Sequence, residues 1–253
     1  LGGSSSYPRH GYGRSAEATA DARGPDRIRT GARITRLSHD DREIRQVTVN
    51  DDARVGVDSI VSTLPLTRVL HLLDPPPPEA VRSVAESMRF RHLRLVVLGL
   101  DRPRLTANAS LYFPERSVPF TRLYEPKNRS PHMAPDDQTV VVLERPCHPH
   151  TEAWEQSDDT LRNRAVDLLA TQGFIEGDGD VVAVDHRALP FAYPILEVGA
   201  HDKANRLKAY LDHFNNLHLL GRSARFTYTH VHNLYARARR LTERIAPRAE
   251  SVA

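Results

Sequence analysis

A mostly apolar run, Asn216-Leu217-His218-Leu219-Leu220, stops at Gly221 and is followed by Arg222. A strand that ends in glycine and opens toward a helix presents backbone N–H groups to anionic oxygens, and the glycine lets the backbone approach a bound group closely. Arg222 adds a planar fork that holds phosphate or carboxylate bidentately, or pairs with a carboxylate of the fold. Tyr228 and a helix starting near Asn233 come next. A helix N-terminus carries about half a unit of positive charge, which favours an anion there. In mid-chain, Arg122, Lys127 and Arg129 form a cationic group suited to an anionic substrate. Arg89, Arg91 and Arg94 alternate with apolar residues and read as a solvated strand face. His148-Pro149-His150 and His230-Val231-His232 have the spacing of strand-borne ligands, but neither has a third ligand, so no metal is expected. Cys147 is alone, which excludes a disulfide framework and a thiolate zinc site, and it reads as a small buried residue. Asp158 and Asp159 read as helix N-terminal charges rather than a catalytic pair. No residue stands out as a general base.

These groups must be positioned by a mixture of strands and helices. Ser15–Ala22 is helix-permitting. Arg27–Thr30 and Ala32–Ser38 read as strands, and His39-Asp40-Asp41 turns the chain back into Ile44–Val49, a hairpin signal. Val55–Thr63 reads as one further strand, ended by Leu64-Pro65. A short helix at Leu66–Leu73, four prolines (Pro75 to Pro78) and a helix at Glu79–Glu86 follow. Leu93–Leu100 reads as a buried strand, and Ser110–Phe113, Phe120–Tyr124 and Thr139–Glu144 as further strands. Asp158–Thr171 is an amphipathic helix with Ser157 as its N-cap. Val181–Arg187 is a strand, Asn205–His213 a helix, and the last helix reaches about Ile245. The class is α/β or α+β, without internal repeats.

The chain of 253 residues has room for one large domain or two small ones with a core. Net charge is +3 and the isoelectric point about 9.2, with the positive charge mostly on Arg. No concentrated basic face or known module accompanies it, so no nucleic-acid partner is expected. No apolar stretch approaches the ~20 residues of a membrane helix. No segment has the layout of a signal peptide, and the single Cys is consistent with a reducing, cytoplasmic location. Leu1–Ser6 reads as a linker, a loop or a cloning remnant.

Three stretches together resemble the FAD-dependent amine-oxidase and protoporphyrinogen-oxidase superfamily. Tyr7-Pro8 through Gly13, with Thr30-Gly31-Ala32-Arg33-Ile34-Thr35 after it, is similar to the segment that precedes the strand at the adenine end of FAD. Asp58-Ser59-Ile60-Val61-Ser62-Thr63-Leu64-Pro65 is similar to a strand end beside the cofactor, and Leu219-Leu220-Gly221-Arg222 with Tyr228 to the motif that closes over pyrophosphate and flavin. Tyr124 to Pro131 and Ala192-Tyr193-Pro194 resemble substrate-domain segments, including those of UDP-galactopyranose mutase relatives. Two positions depart from the pattern: His232 stands where many relatives carry an acidic residue, and Arg129 where close relatives often carry Trp.

The resemblance implies an FAD-dependent oxidoreductase that takes hydride from a small, anionic organic substrate. It implies FAD contacts at Ile34, Thr63, Gly221, Arg222, Tyr228, His232 and Asn233, and substrate contacts at Arg122, Lys127, Arg129 and Tyr193. It implies a partial FAD-side domain from residues 1–73 and 214–246, interleaved with a substrate domain of residues 74–213 built on a mixed sheet with flanking helices. The Gly-x-Gly-x-x-Gly turn that opens a dinucleotide-binding unit does not occur here. The FAD phosphate site is therefore expected on an upstream segment or a separate subunit, or has been lost, and this piece alone is expected to hold FAD weakly. The alternatives are a flavin-free derivative acting as cyclase, isomerase or partner subunit, and a UDP-sugar mutase relative.

Overall fold

A computed structural model describes residues 7–245; Leu1–Ser6 and Ala246, for which a linker and a domain end were expected, lie outside the described residues. The elements in chain order are α1 (Gly13–Arg23), β1 (Ile34–His39), β2 (Ile44–Val49), β3 (Ala53–Gly56), β4 (Ile60–Ser62), α2 (Leu66–His71), β5 (Leu73–Asp74), α3 (Glu79–Glu86) and β6 (Phe90–Leu100). Then come β7 (Leu111–Tyr112), β8 (Arg122–Tyr124), β9 (Thr139–Cys147), α4 (Glu152–Glu155), α5 (Asp158–Thr171), β10 (Val181–Pro194), α6 (Ala200–Leu211), β11 (Leu217–Leu219) and α7 (Val231–Ile245). The architecture is mixed α/β, with several sheets and flanking helices. No helix among the described residues is long and apolar enough to cross a membrane.

Local chemistry explains most of these elements. Ser157 accepts a hydrogen bond from the Thr160 N–H at 3.2 Å, and so caps α5 as its sequence predicts. Leu161, Ala165, Leu168 and Leu169 of that helix are buried. The hairpin of β1 and β2 turns on Asp40, whose carboxylate accepts from the N–H groups of Arg42 (3.0 Å) and Glu43 (2.9 Å) and from Arg45 Nε (2.6 Å). Asn50 and Asp51, both at positive φ, turn β2 into β3, the conformation that tight hairpins require.

The Arg42 and Glu43 backbone bonds and the Arg45 side chain hold the Asp40 carboxyl at about 2, below its ordinary 3.8. A depressed carboxyl stabilises the fold above its unfolded value and loses that contribution as pH falls toward 2. A carboxyl-carbon titration by NMR should find its midpoint near 2. Arg45→Ala should raise it only part of the way, because the Arg42 bond is the larger cause. A midpoint at the ordinary value in the native chain would refute this turn geometry.

Several elements differ from the sequence expectation. Arg27–Thr30 is not a strand: Gly24 (φ 85°) and Pro25 set a single 3-10 turn at Pro25–Arg27. The expected strand Val55–Thr63 is split in two. β3 is the antiparallel edge of a four-stranded sheet ordered β3-β2-β1-β5, whereas β4 pairs in parallel with β11. α6 begins five residues earlier than expected, directly after Gly199 in the left-handed region. β10 runs on through Pro190, which an edge strand tolerates because proline's missing N–H faces no partner there. Arg94 is not solvated but 8% exposed; its guanidinium donates to the carbonyls of Trp154 (2.7 Å) and Gln156 (2.9 Å) and to Asp158 (2.5 Å).

Two compact units divide the described residues, 7–30 with 91–190, and 31–90 with 191–245. The N-terminal segment joins the first unit because Ser130 Oγ donates to the Arg9 carbonyl (2.6 Å), and His10 lies 5.7 Å from the His132 ring. In that unit, antiparallel β6, β9, β8 and β7 bury Val96, Leu98, Leu100, Phe120 and Leu143 against α5. The second unit has its own core, where β1, β2, α2, α3 and α6 enclose Ile44, Leu66, Leu70, Leu207 and Phe226.

Candidate functional site

In the second unit, β4 and β11 lie in parallel register, Ile60 opposite Leu217 and Ser62 opposite Leu219. Asn216 sets this register. Its Oδ1 accepts from Ile44 N–H (2.9 Å), its Nδ2 donates to the Ile44 carbonyl (2.8 Å), and its own carbonyl accepts from Ile60 N–H (2.8 Å). A buried amide that imitates a strand partner in this way pins β11 to both sheets of the unit. The sequence showed Asn216 only as the start of an apolar run; its side-chain partner, Ile44, is 172 residues away.

Because the strands are parallel, both end on the same side, where the Leu220 N–H donates to the Ser62 carbonyl at 3.0 Å. Thr63 and Gly221 are thereby brought together. Gly221 has φ +100°, and a Cβ on it would lie 3.8 Å from that of Thr63. Thr63, Leu220, Gly221, Val231, Leu234, Tyr235 and Ala238 line an open cavity of about 290 Å³. Its α7 residues recur on one helical face. Nothing acidic occupies the first turn of α7 to neutralise its partial positive charge.

Arg222 is not among the residues that line this cavity. Its Nη2 donates to the Ala192 carbonyl at 2.7 Å, and its guanidinium carbon sits 5.0 Å over the Tyr193 ring. Tyr193 in turn lies 6.3 Å from Tyr228, which is 55% exposed. Tyr193, expected among the substrate contacts, is thus grouped with the expected cofactor contacts.

The remaining expected residues are spread out. Ile34 on β1 packs against the core of the second unit. His232 and Asn233 are exposed on α7, off the face that lines the cavity; the His232 ring stacks on His230 at 5.7 Å. Arg122, Lys127 and Arg129 belong to the first unit. Arg122 forms an ion pair with Glu144 and lies over the Tyr124 ring at 5.0 Å. Lys127 Nζ donates to the carbonyls of Pro135 (2.5 Å), Asp136 (3.0 Å) and Gln138 (2.7 Å), so this cation holds a loop together. Arg129 ends the 3-10 turn Pro126–Asn128 and is exposed.

The family model described as flavin containing amine oxidoreductase matches residues 1–246. The chain belongs to this family. Several solved structures have a similar fold. Reduced UDP-galactopyranose mutase aligns with a TM-score of 0.73 at 18% identity, over 87% of this chain and 47% of that one. Wild-type putrescine oxidase bound to putrescine aligns at 0.63 and 17%, over 93% and 52%. A candidate protoporphyrinogen oxidase from Exiguobacterium sp. 255-15 aligns at 0.63 and 17%, over 85% and 46%. The chain therefore spans about half the length of these structures, and at such identities the likeness is one of fold. No curated protein matches it in sequence.

Proposed function

We propose that this member of the flavin amine oxidoreductase family is the flavin-facing half of an FAD-dependent oxidoreductase that removes hydride from a small organic substrate. One observation carries the reading. Thr63 and Gly221, at the adjoining ends of β4 and β11, edge an open apolar cavity flanked by the first turns of α7. The residues present fit the ring end of FAD: an apolar wall, a glycine without a Cβ in the way, and a helix N-terminus without an acid. They offer no glycine-rich turn for the phosphates, so the dinucleotide site falls to a further segment or subunit.

When bound, FAD supplies the two-electron acceptor for a hydride leaving a C–H centre. In this chain, Thr63, Gly221 and Ala238 would hold the ring edge and keep water from it. The α7 N-terminus would favour negative charge gathered there. Arg222, fixed by the Ala192 carbonyl, would orient Tyr193 and Tyr228 beside the cavity. The unit of residues 31–90 and 191–245 is then the cofactor side, and that of residues 7–30 and 91–190 the substrate side, with Arg129 as its candidate contact for an anionic group.

The test is an absorption spectrum of the protein purified from its natural source, taken together with its intact mass. The expected result is a flavin band in a species heavier than this chain, bleached by substrate in the absence of oxygen. A colourless protein of this mass that leaves added FAD free would overturn the proposal in favour of a flavin-free relative.

A further inference from the structure

A second cavity, of about 360 Å³, lies against the C-terminal turns of α7. Arg237, Arg240 and Arg244 line it at helical spacings of three, four and seven, one face of the helix, with Arg225 from the turn after Gly221 and the apolar side chains of Leu219 and Leu241. None of the four arginines makes a side-chain hydrogen bond or ion pair among the described residues, and Arg237 Nη1 is buried without a partner. We propose that this cavity binds a phosphorylated anion, its phosphate oxygens held by Arg225, Arg237, Arg240 and Arg244.

Helix polarity alone does not account for the cluster. Cations are favoured near a helix C-terminus, which suits Arg240 and Arg244. It does not explain a buried guanidinium nitrogen at Arg237, or Arg225, which lies off the helix. Like charges around one cavity repel, and a buried donor without an acceptor costs free energy; a multivalent oxyanion removes both penalties. The field reaches the neighbours. Burial and then the Arg225 charge hold Lys208 below its ordinary value, with Asp212 acting against them. Burial and then Arg244 do the same to His218. The three leucines at the wall (Leu219, Leu220 and Leu241) would accommodate the organic part of such a ligand. The arginine face of α7 is distinct from the face lining the flavin-side cavity, so the inference stands without the flavin reading.

Thermal unfolding of the 253-residue chain in sodium pyrophosphate, against sodium chloride of equal ionic strength, tests this. A saturable rise in Tm is expected with pyrophosphate only. The double variant Arg237→Gln, Arg240→Gln should need about tenfold more pyrophosphate for the same rise, while Arg239→Gln, on the opposite face, should behave as the parent chain. If the double variant does not fold, the exposed Arg244→Gln must show a weaker response. No rise beyond that in chloride, or an equal response in the arginine-face variants, would overturn the proposal.

Discussion

Glu125→Ala is expected to destabilise the unit of residues 91–190 by about 3–5 kcal/mol, the largest effect of any single polar substitution considered. Glu125 is 0% exposed. One carboxylate oxygen accepts from the Leu105 N–H (3.0 Å) and from Thr139 Oγ1 (2.6 Å); the other accepts from the Thr106 N–H (3.0 Å) and Asn128 Nδ2 (3.1 Å). Truncation leaves these donors facing each other without an acceptor, and each unsatisfied buried donor costs about 1–3 kcal/mol before any water enters. The carboxylate also joins the 105–106 loop to the turn that carries Lys127 and Arg129, so the loss would reach the candidate substrate contacts. Trp154, the single tryptophan, lies in the same unit and reports its urea unfolding by fluorescence. Glu125→Gln keeps the size but presents an amide N–H₂ to at least one donor, so it should recover only part of the loss. A loss below about 1 kcal/mol for the alanine variant would mean that water replaces the carboxylate, contrary to this account.

Gly221→Ala should lower stability by about 1–3 kcal/mol through the backbone rather than through crowding. A Cβ at this position would meet only Thr63, at 3.8 and 3.9 Å, which is ordinary contact. The conformation is the obstacle: φ +100° is open to glycine and strained for alanine. Relief of the strain would swing the chain between Leu220 and Arg222, displacing both the edge of the flavin-side cavity and the bond from Arg222 to the Ala192 carbonyl. Gly13→Ala is the matched control. Gly13 opens α1 without a positive φ, nothing lies within 4 Å of an added Cβ, and the change should be neutral or stabilising by up to about 1 kcal/mol. Calorimetric Tm values of the two variants decide the matter: equal shifts would show that Gly221 is not strained. The proposed function adds that Gly221→Ala should also weaken flavin retention.

The sequence by itself determined the features that depend on neighbours along the chain. Ser157 and the apolar spacing after it specify α5, the continuous apolar run specifies the buried part of β6, and Gly221 marks the strand end beside the cavity. The same is true of family membership, since the motif strings around Tyr7, Thr63 and Gly221 lie within the residues that the family model matches. Tertiary structure alone decided what depends on partners far away. Val55–Thr63 reads as one strand by propensity, but pairing with β2 on one side and β11 on the other assigns its two ends to different sheets. In a local window Arg94 reads as a solvated cation and Lys127 as a contact for an anionic substrate. Backbone carbonyls, together with Asp158 in the case of Arg94, capture both, because a buried guanidinium or ammonium must find acceptors wherever the fold supplies them. Tyr193 joins Arg222 across 28 intervening residues, and Asn216 joins Ile44 across 171, through hydrogen bonds and ring contacts that no local periodicity encodes. Propensity and capping act over a few residues, whereas satisfying buried polar groups is a condition on the whole folded unit.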